Sequence, residues 1–343
     1  MGKRKIVFRC LMVTTLLLSF VYSSAAVENG AYTNPGFLVT TQWLADHVDD
    51  ANIRILDRSD IYPQDDIYSK GHIKNSIRMP TSAIKGLKLE IPEMLILKDL
   101  ISYLEENGVS ADNHIVVVGR SKKWPSITRV FWGLEILGHK NVSILDGGME
   151  KWNAEKRPLT TDVPGFAKTT YHVNSLNRYP YMTGEELYGY LGLFDELNVK
   201  LVDTRMPAEF MGKEPSRKPA KETLGHIPGA IPLFFMQTVT GKDYLEFKTE
   251  EEIKKVFESN DITPDKQTIF MCVSGCFGST LYFAARLVGY DMVSLYDGSW
   301  IDWTYKNYPV ESATGMTTPA AEKKKEAPGY GGETKQAAPG YGN

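Results

Sequence analysis

Cysteine is scarce in this chain, with three in 343 residues and one of those inside an N-terminal apolar segment. The other two, Cys272 and Cys276, cannot knit a disulfide framework, and no histidines lie beside them to complete a metal site. No metal and no other cofactor is therefore expected. Positive charge is not in excess either, at 39 Lys+Arg against 42 Asp+Glu. A surface of that balance does not draw nucleic acid. The apolar run at residues 11–22 falls short of the ~20 residues that a membrane-spanning helix needs. Glycine and proline, 29 and 18 residues, follow no collagen period, and 42% hydrophobic content is too high for a wholly disordered chain. At roughly 100 to 200 residues per domain, the length suggests two compact domains.

Lys3, Arg4, Lys5 and Arg9 precede or flank the apolar run, and Ser24-Ala25-Ala26 follows it. This is the order of a secretory signal peptide over residues 1–26. Cleavage would leave 35 Lys+Arg against 42 Asp+Glu, a formal charge of −7. The expected location is periplasmic or secreted, where two free thiols ask for a chemical reason.

The rest of the sequence repeats itself. Ile55-Leu56-Asp57 returns as Leu201-Val202-Asp203, Gly71-His72-Ile73 as Gly225-His226-Ile227, and Asp146-Gly147-Gly148 as Asp297-Gly298-Ser299. The apolar run 115–118 returns at 268–271, and the near-constant spacing reads as a duplicated domain. The copies are expected at 36–159 and 181–312, joined by a linker over 160–180. In the second, 200–203 and 267–271 read as buried strands, while 250–259 and 279–288 carry helical spacing. Strand–helix alternation predicts an α/β fold, with a mostly parallel sheet flanked by helices in each copy. Residues 313–343 repeat Ala-Pro-Gly-Tyr-Gly and lack the apolar content to fold, so a disordered tail is expected. Its tyrosines could tether a surface or protein partner.

Cys272 closes the run 268–271, and Val273, Ser274, Gly275, Cys276, Phe277 and Gly278 lead into the helix. A cysteine between a strand end and a helix start meets free backbone N–H groups and the positive end of the helix dipole. Such surroundings favour the thiolate, the nucleophilic form. A buried structural cysteine is the competing reading. Gly278 stands where a C-x5-R phosphatase would need arginine, so that reading fails.

These blocks together resemble the rhodanese family, and the chain from about residue 36 to residue 312 is similar to a tandem rhodanese sulfurtransferase of thiosulfate or 3-mercaptopyruvate type. The carriers are Leu201-Val202-Asp203-Thr204-Arg205, Gly225-His226-Ile227-Pro228-Gly229-Ala230, the loop opening with Cys272, and Tyr296-Asp297-Gly298-Ser299-Trp300. The resemblance implies that two rhodanese-like domains pass a sulfane sulfur through a Cys272 persulfide, from a small anionic donor to cyanide or a thiol. The first copy reads Val118-Gly119-Arg120-Ser121 at the matching place and has no thiol, which implies an inactive domain.

Val273 and Ser274 are neutral where thiosulfate-type members carry basic residues, and Cys276 and Phe277 interrupt the mercaptopyruvate-type loop. The donor stays open between the two. Arg205 and Arg217 are the expected anion-holding residues, with an Arg205–Glu209 ion pair and an exposed loop as their competing readings. Asp203 is expected to fix loops by accepting N–H bonds. Trp300 is expected to wall the pocket or else to pack the core. Cys276 could resolve the persulfide as a disulfide, giving a thiol-disulfide or reductive-release protein, or simply line the loop. A non-catalytic sulfur or oxyanion carrier is the third reading.

Overall fold

The computed structural model describes residues 32–62, 64–84, 95–216, 223–312 and 315–317. The expected signal segment, Arg217 and nearly all of the expected tail lie outside the described residues.

In the first copy β1 (Leu38–Val39), β2 (Ile53–Asp57), β3 (Ser76–Arg78), β4 (His114–Val118) and β5 (Val142–Leu145) form one parallel sheet, ordered β1-β5-β4-β2-β3. Its helices are α1 (Thr41–His47), α2 (Ile67–Lys70), α3 (Leu97–Glu106), α4 (Trp124–Ile136) and α5 (Gly148–Ala154). The second copy repeats the plan. Strands β6 (Tyr181–Met182), β7 (Val199–Asp203) and β8 (Ile231–Pro232) are followed by a small antiparallel pair, β9 (Val239–Thr240) and β10 (Glu246–Phe247). With β11 (Gln267–Met271) and β12 (Val293–Tyr296) the main strands make a parallel sheet ordered β6-β12-β11-β7-β8. Helices α6 (Gly184–Gly189), α7 (Pro207–Phe210), α8 (Glu250–Glu258), α9 (Cys276–Leu287) and α10 (Ser299–Tyr305) surround it.

The apolar runs read from the sequence are the two central strands, β4 and β11. Residues 115–118 and 268–271 are fully buried because helices cover both faces of each sheet. Register matches as well, with Leu56 opposite Val117 in one copy and Val202 opposite Phe270 in the other. Residues 161–180 carry no helix or strand. One boundary needs correction. β13 (Val310–Ser312) pairs antiparallel with β14 (Gly315–Thr317), so regular structure passes the limit expected at residue 312. The return strand gives the backbone of β13 hydrogen-bond partners that a disordered tail would not.

The copies face each other through α4 and α9. Thr128 and Ser279 share a hydroxyl hydrogen bond of 2.8 Å, and Tyr282 donates to Glu135 at 2.6 Å. Phe131 meets Phe283 edge-on at 4.8 Å, and Phe283 meets Phe247 at 4.9 Å, inside one apolar cluster drawn from both copies. The exchange is reciprocal at the sheet ends. Asp297 of the second copy accepts the Leu95 N–H at 2.8 Å, and Asp146 of the first accepts the Phe247 N–H at 3.2 Å. The ends of β5 and β12 are thereby fixed at the junction between the copies. Among the described residues no helix is long and apolar enough to cross a membrane.

Candidate active site

Met271 ends β11, Cys272 follows, and Gly275 turns the chain with φ 75 into α9. The helix starts at Cys276, three residues before the expected Ser279, because the left-handed glycine completes the turn early. The N–H of Ser274 donates to Cys272 Sγ at 3.4 Å. The twelve-residue α9 opens just beyond, and the positive end of its dipole favours an anion on this loop.

The loop is held from α10. Ser299 Oγ accepts the N–H groups of Cys272 at 3.1 Å and of Gly275 at 3.0 Å, and donates to Tyr296 O at 2.7 Å. One hydroxyl thus uses its donor and both lone pairs. Ser299 does so from a left-handed backbone, φ 53, which a side chain adopts at a cost of about 1–2 kcal/mol. The Gly275 N–H shapes the loop and does not face the sulfur.

Beneath the loop lies an ion pair that joins the copies. Arg129 of α4 donates to Ser274 O at 2.8 Å and reaches Asp297 Oδ1 at 2.6 Å. Both side chains are sealed from solvent. A Cβ on Gly275 would meet Asp297 Oδ1 at 2.4 Å and Arg129 Nη1 at 2.5 Å, so glycine is fixed there by space as well as by φ.

The other expected site residues fall into place unevenly. Asp203 is buried and accepts the Arg205 N–H at 3.0 Å. Arg205 itself is a correction. Its guanidinium holds Asp203 through Nε and Nη2, donates to Ser216 Oγ at 3.0 Å and Gly225 O at 2.8 Å, and is 1% exposed. It is spent inside the second copy and is not a free clamp for a donor. The Asp203 carboxylate, two residues back in a tight turn, outcompetes Glu209, which accepts the Met206 N–H instead. For Trp300 the structure takes the second of the two expected readings. It is fully buried in the second core with the Arg205 guanidinium 4.2 Å from its ring centre, so it packs the core and does not wall an open pocket. Its backbone N–H donates to Cys272 O at 3.0 Å.

Val273 is buried and its carbonyl accepts the Ile301 N–H at 3.1 Å. Phe277 is half-buried against Phe235, ring centres 4.6 Å apart. At Gly278 a side chain would strike Leu295 Cδ1 at 2.6 Å, so no clamp arginine fits. Cys272 is 2% exposed, while Cys276 is partly exposed. Among the described residues no group of three His, Cys, Asp or Glu side chains gathers as a metal site.

In the first copy Gly119 takes the place of Cys272, and the Ser121 N–H donates to Glu150 Oε2 at 2.6 Å. Lys122 and Lys123 are exposed beside it. The first copy also supplies Arg58, next after β2. It is 1% exposed, donates to Met79 O at 2.6 Å, and leaves Nε without a hydrogen-bond partner. Burial draws its guanidinium down to about 10, and charge on Cys276 opposes that ahead of Tyr103, Asp57 and Asp60. Sequence reasoning missed Arg129, Ser299 and Arg58. Only Ser299 left a trace, standing where the first copy has Gly148.

Residues 40–155 and 189–306 each match the family described as Rhodanese-like domain. The chain is 30% identical over 278 residues to "Sulfur carrier protein TtuD" of Thermus thermophilus, covering 79% of this chain and 95% of that protein. It is 28% identical to the thiosulfate sulfurtransferases of Corynebacterium glutamicum and Bos taurus, over 79% of this chain and 89% and 93% of theirs. The crystal structure of Tum1 from Saccharomyces cerevisiae superposes with TM-score 0.68 at 26% identity, covering 79% of this chain and 96% of that one. With both copies matched and both parallel sheets in place, the chain belongs to the rhodanese-like family, as a tandem member of its sulfurtransferase class.

Proposed function

We propose that this protein takes a sulfane sulfur from a small anionic donor, thiosulfate or 3-mercaptopyruvate, onto Cys272 as a persulfide and passes it to a thiol or cyanide. One observation carries the reading. The Ser274 N–H at the head of α9 is aimed at the Cys272 sulfur, and the matching Ser121 N–H of the other copy is filled by a carboxylate. The same point of the fold offers an N–H to an acceptor in both copies, and only in the second is that acceptor a thiol, which the N–H favours as thiolate.

The Cys272 thiolate attacks the outer sulfur of thiosulfate, and the S–S bond breaks with its electron pair leaving on sulfite. With 3-mercaptopyruvate the C–S bond breaks instead, and the pyruvate carbanion takes a proton. The acceptor then attacks the terminal sulfur and returns Cys272 as thiolate. Fixed N–H dipoles stabilise that charge at each exchange without reorganising.

The test is steady-state transfer with each donor against cyanide and a thiol. Parallel double-reciprocal lines and no turnover by Cys272→Ser support the reading; undiminished transfer by Cys272→Ser rejects it. The donor with the higher kcat/KM names the substrate. The carrier reading is favoured by the name of the 30% identical relative. It requires loading of Cys272 without multiple turnover on any small acceptor. Export through residues 1–26 belongs to the same proposal, checked by N-terminal sequencing of the mature protein. Docking of the tail to a partner is checked by deleting 313–343, which removes delivery and leaves loading intact.

A further inference from the structure

Three successive carbonyls of the Cys272 loop are each taken by a donor. Cys272 O accepts the Trp300 N–H at 3.0 Å and Val273 O accepts the Ile301 N–H at 3.1 Å, both from α10 of the same copy. Ser274 O accepts at 2.8 Å from Arg129, which stands on α4 of the cysteine-less copy. The loop is completed from across the junction. The N–H at the other end of the same peptide, that of Gly275, donates to Ser299 Oγ at 3.0 Å. One peptide unit is thus gripped at both ends, by a cation from one copy and a hydroxyl from the other. The Ser274 N–H just before it donates to Cys272 Sγ at 3.4 Å.

Joining the copies does not by itself call for this guanidinium. The Asp-Gly carboxylate of each copy accepts an N–H from the other, Asp297 from Leu95 at 2.8 Å and Asp146 from Phe247 at 3.2 Å. Were docking the whole purpose, both carboxylates would be expected to receive a cation from the facing helix. Of the two, only Asp297 has an ion-pair partner among the described residues. Tyr282 stands as far beyond β11 as Arg129 stands beyond β4, and it donates to Glu135 at 2.6 Å and not to the Ser121 loop. The cross-junction guanidinium goes to the loop with the thiol. Gly275 lets it come close, since a Cβ there would stand 2.5 Å from Arg129 Nη1. On β7, the strand paired with β11, Asp203 is held by Arg205 at 2.6 Å, and Cys276 is the other thiol of the loop.

We propose that Arg129 is a positioning residue for Cys272: the cysteine-less copy supplies a guanidinium that holds the 274–275 peptide, and this keeps the Ser274 N–H aimed at the sulfur. This rests on the persulfide reading of Cys272. Without the clamp Ser274 O can turn, the N–H before it loses its fixed aim, and the sulfur holds its proton more tightly, because a hydrogen bond to the charged form is what favours that form. Arg129 touches no reacting atom. Its charge is balanced by Asp297 at 2.6 Å, so the hold on the peptide carries the effect rather than a net field at the sulfur. The second copy is then fully reactive only while the first is docked against it.

The test follows alkylation of Cys272 against pH in the full-length protein by peptide mass spectrometry, beside single-turnover loading from thiosulfate or 3-mercaptopyruvate. The midpoint of the profile reports the thiol. Arg129→Met should raise it by about one pH unit and slow alkylation about tenfold at lower pH, since one unit is a factor of ten in thiolate. The double variant Arg129→Met with Asp297→Asn removes both charges of the pair, which a fold tolerates better than losing one, and it should raise the midpoint too. Asp297→Asn alone breaks the same ion pair but keeps the clamp on Ser274 O, so it should not raise it. Arg129→Lys, which keeps the charge, should recover part of the shift. A parent-like profile in the double variant overturns the role of Arg129 and leaves the sulfurtransferase reading standing. An equal rise in Asp297→Asn also overturns it, because loosening the junction is then enough. No sulfur gained on Cys272 by the parent removes the persulfide reading, and the proposal with it.

Discussion

At the head of α4 the N–H of Ser121 donates to a carboxylate of Glu150 at 2.6 Å, and at the head of α9 the N–H of Ser274 donates to the sulfur of Cys272 at 3.4 Å. The strands before the two loops and the Asp-Gly motif that braces the junction in each copy correspond, while the turns differ: a 3-10 turn over Ser121–Lys123 leads into α4 and left-handed Gly275 leads into α9. The first loop carries its own anion on α5, fixed and covalent to the chain. The second gives the position to a thiol, which in the proposed mechanism gains and loses a sulfur atom. In the proposed mechanism the two copies differ in what occupies an N–H group that both retain, and the first copy supplies Arg129 to the ion pair beneath the second copy's loop.

The strongest way to break this comparison is at the nucleophile. Cys272→Ser should lower turnover by at least about 10³-fold, as expected when the attacking group of a covalent mechanism is lost, measured against matched protein with unchanged melting. The ion pair beneath the loop comes next. Arg129→Met removes the cation of a buried ion pair, and breaking such a pair costs about 3–5 kcal/mol in urea unfolding. Gly275→Ala forces a Cβ onto that pair at a left-handed φ. A loss of about 2–3 kcal/mol is expected. Activity should fall further than stability explains, because the loop shape is the cradle.

The braces differ too, and that difference is titratable. Asp297 has Arg129, while Asp146 has no ion-pair partner among the described residues and is pushed up to about 7 by burial and then by Glu246, against the Phe247 N–H and Lys151. Its ordinary value is 3.8, so the folded value is the higher one. Stability from this group is therefore complete below about pH 4 and is lost as the pH rises through about 7, by at most about 4 kcal/mol. Asp146→Asn should flatten that decline in melts run from about pH 5 to about pH 8, with little change at the acid end. A variant whose slope matches the parent shows that Asp146 is not the group responsible.

The smallest effect is expected at Ser299. Ser299→Gly, which copies the first domain, relieves a left-handed side chain and removes a hydroxyl that holds two N–H groups. The terms oppose, so stability should change by less than about 1 kcal/mol. The rate of persulfide formation should still fall, since Cys272 and Gly275 are no longer tied together.

What the sequence disclosed and what it hid follow from distance along the chain. Residues 115–118 and 268–271 are buried strands because their apolar pattern is local, and the Asp57 and Asp203 turns repeat because each carboxylate binds two residues ahead. Cys272 could be placed at a strand end for the same reason. Arg205 misled for the opposite one: its fork is taken by that same nearby carboxylate, a contact that spacing to Glu209 does not foretell. Arg129 was hidden because its partner carbonyl is 145 positions away, on the other copy. Arg58 reads in sequence as any polar residue after a strand. Its partners Met79 and Thr81 lie more than twenty positions on, beyond β3, so its burial is not local either.

The most direct measurement is a single turnover by the Cys276→Ser protein with outer-sulfur-labelled thiosulfate or the equivalent labelled mercaptan. The account predicts a gain of one labelled sulfur, about 32 Da, on the peptide bearing Cys272, discharged completely by cyanide. An unmodified Cys272 in protein that still turns over would contradict it.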